Sequence, residues 1–146
     1  MYGGTFLSTL PRSTNRGLID ALTTLRNYSA AAISATTVGV PIEYAFTAEE
    51  SVKVIMNFAA YSGYVASSAE WVITTEISAT LAGTYRVVDT IAAFIGAGAA
   101  LQHEIFLGGR QMENLVANAR FMRVTATRVG APGNLVFGSY LVPSDC

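Results

Sequence analysis

Cysteine and histidine are almost absent from this chain of 146 residues, which limits the chemistry it can perform. Cys146 is the only cysteine and His103 the only histidine. One cysteine cannot form an internal disulfide, which suits synthesis in a reducing cytoplasm. A zinc site would need several carboxylates, and none has ligand spacing. We expect His103 to lie in the core or at its rim, because it shares a strand face with Leu101, Ile105 and Leu107. No metal or cofactor is predicted.

Charged residues are also scarce. They make up 13% of the chain, whereas hydrophobic residues make up 51%; soluble domains are usually about 25% charged. A small domain has a high ratio of surface to volume, so these few charges cannot cover it. We favour burial of much of the surface against other chains, because large apolar patches usually mark interfaces. A monomer coated with serine, threonine, glycine and alanine is the alternative.

Long apolar runs and targeting signals are missing as well. The most apolar run, 91–101, is shorter than the ~20 residues that span a bilayer. The N-terminus lacks the basic start and continuous apolar core of a secretory signal. The sequence therefore predicts neither a signal peptide nor a transmembrane segment.

The charges are unevenly placed along the chain. Residues 1–37 carry three arginines and one aspartate, whereas the remainder carries six basic and nine acidic residues. A mildly basic arm suits docking to an acidic protein surface or to a neighbouring copy. Nucleic-acid binding would require clustered lysine and arginine, so no nucleic-acid partner is predicted.

The arm contains the one long stretch with helical spacing, which predicts a short helix over 16–31. Apolar residues recur there at spacings of three and four, and Thr14 or Asn15 can cap its start. The narrow stripe fits a helix lying on its own domain or one packing against another subunit, for example around a threefold axis. We predict an interaction arm over 1–37 and a sandwich domain over 38–146; the proposed arm contacts are Arg12, Arg16, Leu18, Leu22, Leu25 and Arg26.

Strand patterns dominate the rest of the chain. Seven short alternating segments, about ten residues apart and separated by Gly/Pro turns, predict an all-β antiparallel sandwich. It would be Ig-like or jelly-roll-like, with about seven or eight strands. The clearest alternation runs over 67–79, where one side holds Trp71, Ile73, Thr75, Ile77 and Ala79. The predicted structural core comprises Trp71, Ile73, Ile77, Tyr44, Phe46 and Phe58.

Three segments have less regular patterns than the others. Residues 38–46 alternate as a strand, with Val38, Val40, Ile42, Tyr44 and Phe46 on one face, and Pro41 predicts an edge position or a break near the start of the strand. Residues 48–60 fit either a strand or a helix opened by a Thr47-x-x-Glu50 capping box; the β-branched run 52–55 favours the strand. Residues 110–119 could hold a helical turn or a long connection.

The candidate catalytic residues do not have the spacing that enzyme chemistry requires. No Gly-x-Ser-x-Gly elbow accompanies the abundant serines. Glu70 and Glu76 share a strand face but would be ~20 Å apart, beyond the ~5–10 Å that glycoside cleavage needs. The loop 96–101 begins like a dinucleotide motif, but Leu101 replaces the third small residue. The sequence therefore predicts a protein that is not an enzyme.

One resemblance suggests a role. Segments 54–58 and 66–73, the second reading Ala-Ser-Ser-Ala-Glu-Trp-Val-Ile, resemble immunoglobulin-like modules of small tailed-phage virion proteins, and 119–127 is similar to their late strands. The resemblance covers roughly 38–142; the basic arm and the long 96–118 region depart from it. It implies a capsid cement or decoration protein within the virion, with major capsid or other virion proteins as partners. A tail, neck or fibre adaptor is the alternative.

The resemblance and the composition together suggest a symmetric homo-oligomer, with a trimer favoured, whose arm reaches between subunits. A carbohydrate-binding sandwich is the rival of another class, with Tyr61, Tyr64, Trp71 or Tyr85 stacking on sugar. Against this rival, Trp71 alternates with apolar residues and is predicted to lie in the core.

Overall fold

The computed structural model describes residues 24–44, 51–92 and 100–143, which form two antiparallel sheets packed face to face. In the first, sheet A, the strand order is β1 (Thr24–Arg26), β9 (Phe137–Pro143), β4 (Val52–Phe58) and β7 (Leu101–Leu107). In the second, sheet B, it is β2 (Thr37–Val38) with β3 (Ile42–Glu43), then β8 (Phe121–Val129), β5 (Glu70–Ser78) and β6 (Arg86–Ala92). The helix α1 (Gly109–Leu115) joins β7 to β8. The prediction of an all-β sandwich is confirmed.

The strands pair in a nested order. Because β2 and β3 lie along one edge of β8, they act as a single interrupted strand. The pairs are then β1 with β9, β2–β3 with β8, β4 with β7 and β5 with β6. Wrapping this long hairpin brings β9 beside β4 and β8 beside β5. Eight strand positions in this order form a jelly roll, so the jelly-roll alternative holds and the Ig strand order does not.

The predicted helix over 16–31 is wrong for its described part, residues 24–31. Thr24 pairs with Tyr140 and Arg26 with Ser139 across β1 and β9, with a bulge between them. Leu25 is 5% exposed and belongs to the core. Helix propensity is a weak preference. Pairing with β9, by contrast, provides hydrogen-bond partners for the backbone N–H and C=O groups of β1 and also buries the side chain of Leu25.

The predicted boundary between arm and sandwich at residue 37 is also displaced. Ile33 and Leu135 exchange backbone hydrogen bonds of 2.9 and 3.0 Å, and β2 begins at Thr37. Residues 24–37 are therefore part of the sandwich. The predicted arm residues Arg12, Arg16, Leu18 and Leu22 lie outside the described residues.

The edge strand is interrupted at Pro41, as the sequence predicts. Between the pairs Val38–Thr125 and Ile42–Met122, three residues of the edge lie opposite two of β8. This bulge changes the face: Val38 and Val40 are 55% and 78% exposed, whereas Ile42 packs against the core. The prediction that these side chains share one face is wrong, because one extra residue reverses a period of two.

The core lies between the sheets. Of its predicted members, Trp71, Ile73, Ile77 and Phe58 are at most 2% exposed. Tyr44 packs against the core while partly buried, and Phe46 lies outside the described residues. Residues 52–58 form a strand, not a helix, with hydrogen-bonded neighbours on both sides. Of the two alternatives for 110–119, a helical turn and a long connection, the structure has the helix α1, whose Met112 is fully buried.

Candidate interaction surface

Trp71 is a structural residue. Its side chain is fully buried, and its indole N–H donates a 2.8 Å hydrogen bond to the carbonyl oxygen of Gly133. Its backbone N–H donates to the hydroxyl of Tyr61 at 3.2 Å. Burial raises the pKa of Tyr61 above its ordinary value, although the hydrogen bond from Trp71 opposes the shift. These contacts place Trp71 and Tyr61 in the framework of the fold.

The four aromatic residues considered for sugar stacking do not form an open platform. Trp71 and Tyr61 are buried, and the ring of Tyr64 meets that of Tyr61 edge-on at 6.4 Å. Tyr85 lies beneath the guanidinium of Arg123, which is 3.9 Å from its ring centre. Each of the four is engaged with another part of the protein.

The candidate acid and base groups have structural surroundings. His103 lies half-buried on the inner face of β7, opposite Met56. The Glu70 carboxylate accepts a 3.3 Å hydrogen bond from the N–H of Ser67. Within 24–44, 51–92 and 100–143, no group of three or more His, Cys, Asp or Glu side chains could hold a metal ion.

A polar cluster occupies the outer face of sheet B. The Arg123 Nε donates to Glu76 at 2.7 Å, and the hydroxyl of Thr74 donates to the other Glu76 oxygen at 2.9 Å. Tyr85 closes the cluster, and burial raises the pKa of its phenol despite the neighbouring Arg123 charge. The cluster pairs its charges internally, so it offers little net charge to a partner.

An apolar opening lies between the sheets at the edge formed by β1 and β2. It encloses a cavity of about 240 Å³ lined mainly by apolar groups, among them Leu25, Ile33, Val38, Val40, Val124 and Phe137. We call this region the open edge. Val38 and Val40 at its rim are exposed because of the bulge at Gly39–Pro41.

Arg26 also lines the open edge. Its Nη2 donates to the carbonyl oxygen of Ala31 at 2.8 Å, and its guanidinium carbon lies 5.1 Å from the centre of the Phe137 ring. Burial lowers the pKa of Arg26. Of the predicted arm contacts, the structure thus brings Leu25 and Arg26 together, as parts of this edge. The sequence signal for the edge is the Gly39-Val40-Pro41 interruption, which marks a bulge.

An exposed aromatic residue lies on the outer face of sheet A. Phe106 is 65% exposed, and the Lys53 ammonium lies 5.2 Å from its ring centre and 3.5 Å from a carboxylate oxygen of Glu104. Isolated exposed apolar residues are common. The open edge differs because two exposed valines adjoin a cavity.

Comparison with known protein families and curated proteins identifies no relative of this chain. No protein-family model matches the chain, and no curated protein matches it. Among the described residues, every helix is too short or too polar to cross a bilayer. The geometry thus describes a jelly-roll sandwich with an apolar opening at one edge.

Proposed function

We propose that this protein is a structural virion component, a capsid cement or decoration protein that stabilises the shell through contacts between proteins. The observation that supports it best is the open edge, where a jelly roll of low charge exposes two valines beside an apolar cavity. Jelly rolls are common in viral capsid proteins and also in lectins, so the fold alone does not assign a function.

The surface chemistry favours contact between proteins. A neighbouring apolar side chain could enter the cavity between β1 and β2 and cover Val38 and Val40. Removing apolar surface from water contributes about 25 cal/mol per Å², and central, well-packed contacts dominate most interfaces. A coat component that is covered by its neighbours can carry few charges without exposing apolar surface in the assembled particle.

The proposed assembly is a homo-oligomer, most simply a trimer, docked on the capsid. Arg12, Arg16, Leu18 and Leu22 of the arm would contact neighbouring subunits. Leu25 and Arg26 contribute instead through the open edge that they line. The basic residues of the arm suit the acidic remainder of a second copy or an acidic capsid surface.

The test uses particles of the parent phage from which this protein has been removed. Purified wild-type protein should be oligomeric in sedimentation-velocity measurements and should co-sediment with the particles. Val40→Asp places a charge at a side chain that is 78% exposed. This substitution should keep the melting temperature and weaken particle binding about tenfold or more, because the charge would be desolvated in the contact.

Leu81→Asp is the matched control. Leu81 is 58% exposed in the turn that leads from β5 into β6, and β6 lies at the edge of sheet B opposite to β2. It should bind like wild type. A monomeric wild-type protein that fails to bind the particles would contradict the proposal. Gold labelling of intact particles would separate a capsid position from a tail, neck or fibre position.

A further inference from the structure

We propose that a groove on the outer face of sheet A binds a neutral oligosaccharide. The groove has a volume of about 680 Å³ and lies between the segment 24–28 and the strands β4 and β9. Small-molecule sites are commonly about 300–1,000 Å³, and the groove lies within that range. This site does not depend on the virion role, and it differs from the open edge, which lies between the sheets.

The pairing register of β4 and β9 brings the residues of the groove together. Asn57 of β4 pairs with Gly138 of β9, and Tyr140 follows two residues later on the same outer face. A side chain at position 138 would collide with Tyr28, because an added Cβ would lie 2.8–2.9 Å from the Tyr28 Cβ, Cα and N atoms. The glycine therefore lets the turn after β1 pack against sheet A and form one wall.

The turn that carries Tyr28 is held in place. The Asn27 side-chain oxygen accepts hydrogen bonds from the N–H and hydroxyl of Ser29 at 2.9 and 2.7 Å. The Ala30 N–H donates to the Asn27 carbonyl oxygen at 3.0 Å. Tyr28 nevertheless remains 47% exposed. A fixed turn with an exposed ring is preorganised, which lowers the entropic cost of binding.

The lining chemistry points to a neutral sugar. The described residues that line it include two tyrosine rings, Tyr28 and Tyr140, and the amides of Asn27 and Asn57, and none of these described residues is acidic. Aromatic rings pack against the C–H faces of a sugar ring, and an amide can donate to and accept from hydroxyl groups. Asn57 can offer both, whereas Asn27, whose oxygen accepts from Ser29, offers its NH2 group as a donor. Arg26 is the charged residue within the described part of the lining; it already donates to the Ala31 carbonyl oxygen and lies over the Phe137 ring. An anionic ligand would have to compete for that cation.

The first experiment is a glycan array probed with the full-length protein, containing neutral and acidic oligosaccharides together with acidic peptides. We expect binding to neutral oligosaccharides. Calorimetric titration with the best of these should show that Tyr28→Ala and Asn57→Ala each raise Kd about tenfold. The matched control is Phe106→Ala, which removes a more exposed aromatic ring from the same sheet face and should leave Kd unchanged.

Melting temperatures of all variants accompany the titrations. If Tyr28→Ala loses stability, the affinity of Asn57→Ala tests the site instead. In addition, the backbone NMR shifts of Asn57 and Tyr140 in the wild-type protein should change when the sugar is added. Absence of neutral-glycan binding would overturn the proposal. So would preferential binding of acidic ligands, or an equal loss of affinity in Phe106→Ala.

Discussion

The indole N–H of Trp71 donates to the carbonyl oxygen of Gly133 at 2.8 Å, across 62 residues of sequence. The bond ties β5 to the loop that precedes β9. The same loop is held from its other side, where the Gly133 N–H donates to the Ser62 carbonyl oxygen at 2.7 Å. Trp71 therefore fills the interior and also connects the sheets through a polar contact.

Two substitutions of Trp71 should destabilise the fold to different extents. Trp71→Ala should cost about 3–5 kcal/mol through lost burial and a cavity. Trp71→Phe should cost less, about 1–3 kcal/mol, because it keeps much of the ring but leaves the Gly133 carbonyl without its donor. Urea denaturation measures both. As a control, Val65→Ala, at a side chain that is 56% exposed, should change the free energy of unfolding by less than about 0.5 kcal/mol. Unchanged stability of Trp71→Ala would contradict the structural role of Trp71.

Gly130 should not tolerate a side chain. Its φ is +70°, and an added Cβ would collide with the Ser68 carbonyl oxygen. Backbone strain and overpacking each cost about 1–3 kcal/mol, so Gly130→Ala should lower the free energy of unfolding by about 2 kcal/mol or more. Gly108→Ser is the control: its φ of −72° is unstrained and serine caps helices well. Similar melting temperatures for both variants would refute the argument.

Glu76 and Arg123 should couple more strongly than an exposed pair. Their side chains are 11% and 26% exposed, against 54% and 59% for Glu43 and Arg120, which also form an ion pair. A double-mutant cycle with Glu76→Gln and Arg123→Gln should give a coupling energy of about 1–3 kcal/mol. The same cycle at Glu43 and Arg120 should give less than about 1 kcal/mol. Equal couplings would show that burial does not strengthen the inner pair.

Tyr61 should contribute to alkaline unfolding. Burial raises its pKa above that in the unfolded chain, so the folded state binds the phenolic proton more tightly. This stability is fully present below the unfolded pKa of about 10 and is lost as pH rises through the higher folded pKa. The melting temperature of wild type should therefore fall above about pH 10.

The comparison that isolates this effect is Tyr61→Phe, which lacks the ionising group. Its melting temperature should fall less steeply with pH over the same range, although its stability at neutral pH drops with the loss of the Trp71 hydrogen bond. Identical slopes for the two proteins would assign the alkaline transition to other groups. The chain has seven tyrosines, so the difference between the ultraviolet absorbance titrations of wild type and Tyr61→Phe gives the ionisation of this phenol.

Much of the strand content could be predicted from the sequence because a half-buried strand leaves a local trace. Alternation placed Trp71, Ile73 and Ile77 inward, and β-branched density favoured a strand over 52–58 against a capping-box helix. Residues that share a face recur every second position wherever one side is buried.

The tertiary structure decided which backbone edges meet. Leu25 fits helical spacing, yet it lies in a strand because β9 presents an edge beside it. Val38 and Val40 belong to an alternating run, yet a one-residue bulge turns them outward and produces the open edge. The groove joins Tyr28 to Asn57 and Tyr140 through the register of β4 and β9.

Local periodicity therefore determined most of the strand segments, with β1 as the exception, and, in the regular strands, which side chains are buried. The partner of each strand, the bulge and the surfaces they create depend on hydrogen bonds between residues far apart in the chain. A repeat of two residues carries no record of such pairing, and a single extra residue reverses every face beyond it. For this reason the strands other than β1 were predictable from the sequence. The choice between the Ig and jelly-roll orders, the open edge and the groove depended on the tertiary structure.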